Sequence, residues 1–135
     1  MSDINIRKAF EKRLALMTPA LATQFENVNY SPIVNTPYQQ LNLLPAQPDN
    51  ASLGDGYYRE IGLFQVMLRY PQNAGAGAAE ARAEAIKLHF KRGTHMTEAG
   101  QTVLVLRTPT KSPAFMDGDR YCIPISIYYQ SEIFN

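Results

Sequence analysis

Tryptophan is absent and cysteine occurs once, at Cys122, so an internal disulfide and a multi-thiolate zinc site are both excluded. Neither sign of charge is in surplus: thirteen Lys and Arg against twelve Asp and Glu leave +1, too weak a field to hold DNA or an anionic membrane. No uncharged apolar run approaches the ~20 residues of a spanning helix. The first ten residues carry Asp3, Arg7 and Lys8 and lack a signal peptide's apolar region, so a soluble chain made in a cytoplasm is expected. What is present points to a folded protein. Hydrophobic residues make up 45% and charged residues 19%, which excludes a disordered chain. At 135 residues a single domain, 1–135, is expected, large enough to bury a core without a metal or disulfide.

Ile6, Phe10, Leu14, Met17 and Leu21 recur at steps of three and four, one stripe of an amphipathic helix, with Arg7, Lys8, Glu11, Lys12 and Arg13 on the other faces. Ser2 or Asp3 is placed to cap it, and Pro19 ends it near Thr18. From Thr23 to Gly56 the chain is rich in Pro, Asn, Ser and Gln, with short strands expected at Gln24 to Tyr30 and Tyr38 to Leu44 and an exposed mobile loop at 48–56.

Tyr57 to Tyr70 is the longest strand signal, with Phe64, Val66, Leu68 and Tyr70 on the core face. Gly62 within it predicts a bulge or a close backbone approach. A Gly-rich connection at 73–77 leads into a helix from Ala78 to Arg92, with Ala79, Ala83, Ile86 and Phe90 on one face and Gly93 at its left-handed end. A turn at Glu98 to Gln101, a buried strand at Thr102 to Arg107 and a loop at Pro109 to Gly118 follow. The last strand puts Tyr121, Ile123, Ile125, Ile127 and Tyr129 on a hydrophobic face and Cys122, Pro124, Ser126, Tyr128 and Gln130 on a mostly polar one. Because proline cannot donate to a ladder, Pro124 predicts an edge strand or a bulge. The fold class expected is α+β, two helices packed on a mostly antiparallel mixed sheet.

Chemistry-bearing residues do not assemble into a reaction centre. Gly75 and Gly77 lie between a strand and a helix, as a phosphate loop would, yet Glu80 occupies the third-glycine position and would repel a pyrophosphate. His89 and His95 would fall on different sides even if the helix continued past Gly93, and they read as solvated. Cys122 has no basic cluster beside it, and Asp117 and Asp119 flank Gly118 as a turn would. No catalytic residue, metal ligand or cofactor site is assigned. The basic clusters around Arg7 to Arg13 and Lys87 to Arg92 are interleaved with Glu, unlike a nucleic-acid groove. Eight tyrosines are the more suggestive feature, because tyrosine suits a partly wet interface.

The order of motifs resembles that of the tail terminator, or tail completion, proteins of long-tailed bacteriophages, a class that includes the minor tail protein U-like families. The carriers are Phe25-Glu-Asn-Val28, Pro37-Tyr38, Leu53-Gly54, and Tyr58-Arg-Glu-Ile-Gly-Leu-Phe-Gln-Val66 running to Pro71. After these come the Ala-rich helix ending in Phe90-Lys-Arg-Gly93 and the strand Tyr121-Cys-Ile-Pro-Ile-Ser-Ile-Tyr-Tyr129. The resemblance implies a non-enzymatic virion tail protein that forms a ring, usually a hexamer, at the head-proximal end of the tail tube. There it would stop tube growth and offer the head-joining surface. Its partners would be copies of itself, the major tail tube protein and a head-tail connector, with no membrane and no specific nucleic-acid binding, though DNA would pass through the ring. Tyr57, Tyr58, Arg59, Arg69, Arg120, Tyr128 and Tyr129 are the expected contact residues for the ring or the tube. Another neck or adaptor protein, or a small-ligand-binding module or enzyme using the loop at 75–77, stands as the alternative.

Overall fold

The structure, a computed structural model, describes residues 2–18, 21–29, 31–32, 35–46, 57–73 and 75–134, with the backbone alone at 2–3, 57–58 and 132–134. The expected loop at 48–56 and the capping side chains of Ser2 and Asp3 lie outside the described residues. Two helices, α1 (Ser2–Ala15) and α2 (Gly77–His89), accompany strands β1 (Ala22–Gln24), β2 (Tyr38–Pro45), β3 (Tyr57–Pro71), β4 (His95–Glu98), β5 (Gln101–Val105), β6 (Thr110–Lys111), β7 (Phe115–Asp117) and β8 (Arg120–Phe134). All eight strands form one sheet in the order β1-β2-β3-β8-β5-β4, with β6 and β7 also paired to β8. Among the described residues only β1 and β2 pair in parallel. This is the expected α+β fold on a mostly antiparallel mixed sheet.

The spine is the β3–β8 ladder, which runs in unbroken register from Tyr57 opposite Phe134 to Pro71 opposite Arg120. Period-two alternation along it sends Phe64, Val66, Leu68, Ile123, Ile125, Ile127 and Tyr129 to one face, all buried. Both helices lie against that inner face. The α1 stripe delivers Ile6, Phe10, Leu14 and Met17, and α2 delivers Ala79, Ala83, Ile86 and Phe90. Phe10 is the keystone: its ring stacks on Phe64 at 4.6 Å and meets Tyr129 edge-on at 5.7 Å and Phe90 at 5.8 Å. The helices are also tied at their C-terminal ends. Arg13 Nε donates to the carbonyl of His89 at 3.0 Å, and His89 Nε2 lies 2.7 Å from the Arg13 carbonyl. His89 is thus a structural link rather than a solvated side chain.

Gly62 marks a close approach, not a bulge. A Cβ there would lie 2.7 Å from both the Leu44 carbonyl oxygen and Tyr129 Oη, and 2.9 Å from Pro45 Cα. Tyr129 stands directly opposite Gly62 on β8, so a large ring occupies the space beside a residue without a side chain.

Several boundaries differ from expectation. The strand expected at Gln24 to Tyr30 is instead β1, ending at Gln24: the chain turns at Asn27, whose φ is 57°, and exposes Phe25 and Val28. α2 stops at His89, so Lys91 and Arg92 lie beyond it, and Gly93, at φ 89°, serves the turn into β4 rather than the helix end. β4 was not foreshadowed, because His95-Met-Thr-Glu98 holds one apolar residue, Met96; its hairpin with β5 turns on Ala99 and Gly100, both at positive φ. The loop expected at 109–118 contains β6 and β7.

The largest correction concerns Pro124. β8 is central, with β3 on one flank and β5, β6 and β7 on the other, and it carries no bulge against β3. The Pro124 carbonyl accepts from Ser112 N at 3.0 Å, so the missing N–H faces the same flank, where pairing is interrupted between Lys111 and Phe115. A central strand tolerates the proline because its neighbour leaves a gap there. Cys122 and Pro124, expected on the polar face, are both buried.

Candidate assembly surfaces

Among the described residues no helix covers the outer face of the sheet. That face holds Leu44, Leu63 and Tyr128 in one cross-strand row, because Leu44 pairs with Leu63 and Leu63 with Tyr128. Together with Ile61 and Leu106 they wall an apolar cleft of about 260 Å³. Leu44 is 49% exposed and Leu106 36%, so this apolar surface is open to water. The Arg107 guanidinium lies over the Tyr128 ring at 4.5 Å and rims the cleft with charge.

Toward the other end of the same face, Arg69 is braced on three sides. Its Nη1 meets Asp117 Oδ2 at 2.7 Å and Cys122 Sγ at 3.4 Å, while Nε donates to Gln40 Oε1 at 3.0 Å. Burial works against its charge, but the hydrogen bond it donates to Asp117 and the favourable field of its neighbours outweigh that and raise its pKa. Burial raises the Cys122 thiol, with Asp117 adding to the effect and Arg69 opposing it, so this cysteine stays protonated and unreactive. Beside this group, Arg120 donates from Nη1 to the Thr36 carbonyl and stacks 5.0 Å from the Tyr38 ring centroid, pinning the segment that leads into β2.

On the edge formed by β1 and β2, Glu26 receives Arg7 Nη1 at 2.7 Å and the Leu43 N–H at 2.6 Å. That N–H points away from β3, beyond the end of β1. Partial burial alone would raise the Glu26 pKa, but the Leu43 and Arg7 bonds more than offset it and lower it.

A family model for the phage tail terminator protein matches residues 5–129. The chain belongs to the phage tail terminator family. One solved structure superposes with a TM-score of 0.77 at 28% identity, covering 97% of this chain and 96% of the other; its own name carries no function. No curated protein matches in sequence. Membership gives this terminator a structural role as a component of the virion tail.

The seven contact residues expected for such a terminator are scattered by the fold. Tyr57 and Tyr58 open β3, and their side chains lie outside the described residues. Arg59 and Tyr128 are half-buried on the outer face, and of the two only Tyr128 lines the apolar cleft. Arg69 is half-buried and braced as above. Arg120 and Tyr129 are buried inside the subunit, Tyr129 wholly so. Alternation already sets Leu63 on the mixed face of the long strand, away from Phe64, but Leu44 and Leu106 carry no such signal, and nothing local shows that the three share one uncovered surface. Among the described residues no three His, Cys, Asp or Glu side chains converge to hold a metal ion. Glu98, placed beside His95 in sequence, instead pairs with Lys12 Nζ of α1 at 2.6 Å.

Proposed function

We propose that this terminator forms a ring, of six subunits, on the head-proximal end of a phage tail tube, ends tube polymerisation and presents the surface to which the head joins. The family match over residues 5–129 carries this reading. The open outer face supports it: an apolar cleft rimmed by Arg107 and Tyr128 gives a patch that a differently shaped surface of a neighbour can fill, and such heterologous contacts close into rings. In this reading its partners are other copies of the chain, the tail tube protein and the head-tail connector. It is made in the host cytoplasm, catalyses no reaction and needs no cofactor. Arg59, Tyr57, Tyr58 and Tyr128 contribute contacts at the surface, Arg69 holds the outer face in shape, and Arg120 and Tyr129 act from inside by fixing the strands.

The test is mass by light scattering over a concentration series, alone and then with the tail tube protein from the same genome, together with tube lengths by electron microscopy. A discrete ring mass, or tubes that stop growing when the protein occupies their ends, is the expected result. A strict monomer that neither binds tubes nor changes their length overturns the reading.

A further inference from the structure

A second cleft, of about 130 Å³, opens between α1 and the edge formed by β1 and β2. Leu14, Leu21, Phe25 and Leu41 give it apolar walls, and Glu11, Thr23 and Gln39 are its polar members. Gln39 is only 3% exposed. Its Nε2 donates to Thr23 Oγ1 at 3.1 Å, and Thr23 Oγ1 donates onward to the Leu21 carbonyl at 3.1 Å. That chain fixes the amide: turned over, its carbonyl would face a hydroxyl whose proton is already committed. Gln39 Oε1 is therefore left buried with no donor among the described residues. A buried acceptor kept in this state needs an explanation, because its desolvation is uncompensated.

Glu11 supplies the second observation. It lines the same cleft, and the nearby cation, Arg7, is already bonded to Glu26. Two acceptor-bearing side chains from different elements thus line an apolar slot, with no donor between them among the described residues. The matching ligand has an aliphatic stem and a compact head rich in donors. An ammonium offers three donors that can reach separate acceptors, whereas a planar guanidinium fits both oxygens of one carboxylate. The volume is about four waters' worth, close to that of a butylammonium group.

We propose that this cleft is a socket for a lysine side chain presented by a partner protein of the tail, with Glu11 as counter-ion and Gln39 Oε1 and Thr23 Oγ1 as further acceptors. It rests on the assembly reading above. The socket lies on the helix side of the sheet edge, apart from the apolar cleft of the outer face, so the two surfaces can serve different neighbours.

The first test titrates the ¹⁵N-labelled full chain with n-butylammonium, using n-butanol as the neutral control. Expected is a saturable shift of the Gln39 side-chain amide with the ammonium only, weakened about ten-fold in Glu11→Gln. Equal shifts with butanol, or none with either, overturn the socket. Thr23→Val, which keeps the shape and removes one acceptor, should weaken binding less than Glu11→Gln, and the reverse order overturns the assignment of Glu11 as counter-ion. The second test compares tube capping. Wild type that caps tubes while Glu11→Gln caps them equally well overturns the socket's role and leaves the terminator reading intact. Wild type that stays a monomer and neither binds tubes nor changes their length overturns the terminator reading, and the butylammonium titration then still decides the socket.

Discussion

The two faces of the sheet share strands and register but differ in what covers them. On the inner face, Phe10, Phe64, Phe90 and Tyr129 interlock under two helices and are excluded from water. On the outer face, most residues one step along the same strands are half-buried, Cys122 and Pro124 being buried, and the surface is joined by pairs such as Arg69 with Asp117 and Arg107 with Tyr128. Stability therefore resides on one side, and the other is free to be shaped for contact. Adjacent substitutions in one strand can separate the two roles.

The sharpest such test is Phe64→Ala against Leu63→Ala. Phe64 is fully buried and stacked on Phe10, so its loss should cost about 3–5 kcal/mol in urea denaturation. Leu63, half-buried on the other face, should cost less than half as much, and equal costs would break the distinction between the faces. Next is Gly62→Ala, expected to cost about 1–3 kcal/mol because the strands must separate. Adding Tyr129→Phe should recover little, since the Leu44 carbonyl still blocks the new methyl.

A smaller effect separates two carboxylates. Glu26, with its lowered pKa, stabilises the fold above the ordinary carboxylate range, a contribution lost as pH falls through its folded value. Glu11 runs the other way: burial raises its pKa, so its ionised form weighs on the fold, a cost that appears as pH rises through the folded value. At neutral pH Glu26→Gln should cost about 1 kcal/mol and flatten the acid limb of a melting profile. Glu11→Gln should be neutral or mildly stabilising. Such a cost fits a group kept for binding rather than for folding. Smallest on stability is Leu44→Ser with Leu106→Ser, expected within about 0.5 kcal/mol of wild type while weakening self-association in sedimentation. A large loss of stability there would show that the outer cleft belongs to the core.

Much of this fold is legible in the sequence, for physical reasons. The stripe from Ile6 to Met17 and the alternations along β3 and β8 repeat long enough to declare their period, and the residues expected on the core face supply the core, though Cys122 and Pro124 of the other face are buried as well. Short elements were not legible: β4, β6 and β7 have two to four residues, are held by pairing with β5 or β8, and carry little pattern of their own. Pro124 misled because a proline reports a missing donor but not which neighbour is interrupted opposite it. The candidate surfaces were least legible. Gln39 sits in a strand of ordinary alternation, and nothing local says that its carbonyl will be enclosed beside a residue from α1.

The bond that the Leu43 N–H donates to Glu26 limits how copies can meet. β1 offers three residues to an incoming strand, the Leu43 N–H beyond it is already taken, and Pro45 has none. The opposite border of the sheet ends in β4 without such a plug among the described residues. In the language of polymer chemistry, the subunit is close to a monofunctional monomer for strand pairing: two copies joined through β4 would leave the short β1 at each outer end, a poor site for adding a further strand. Any larger closed assembly must then be built from side chains rather than from backbone, and its size is set by shape.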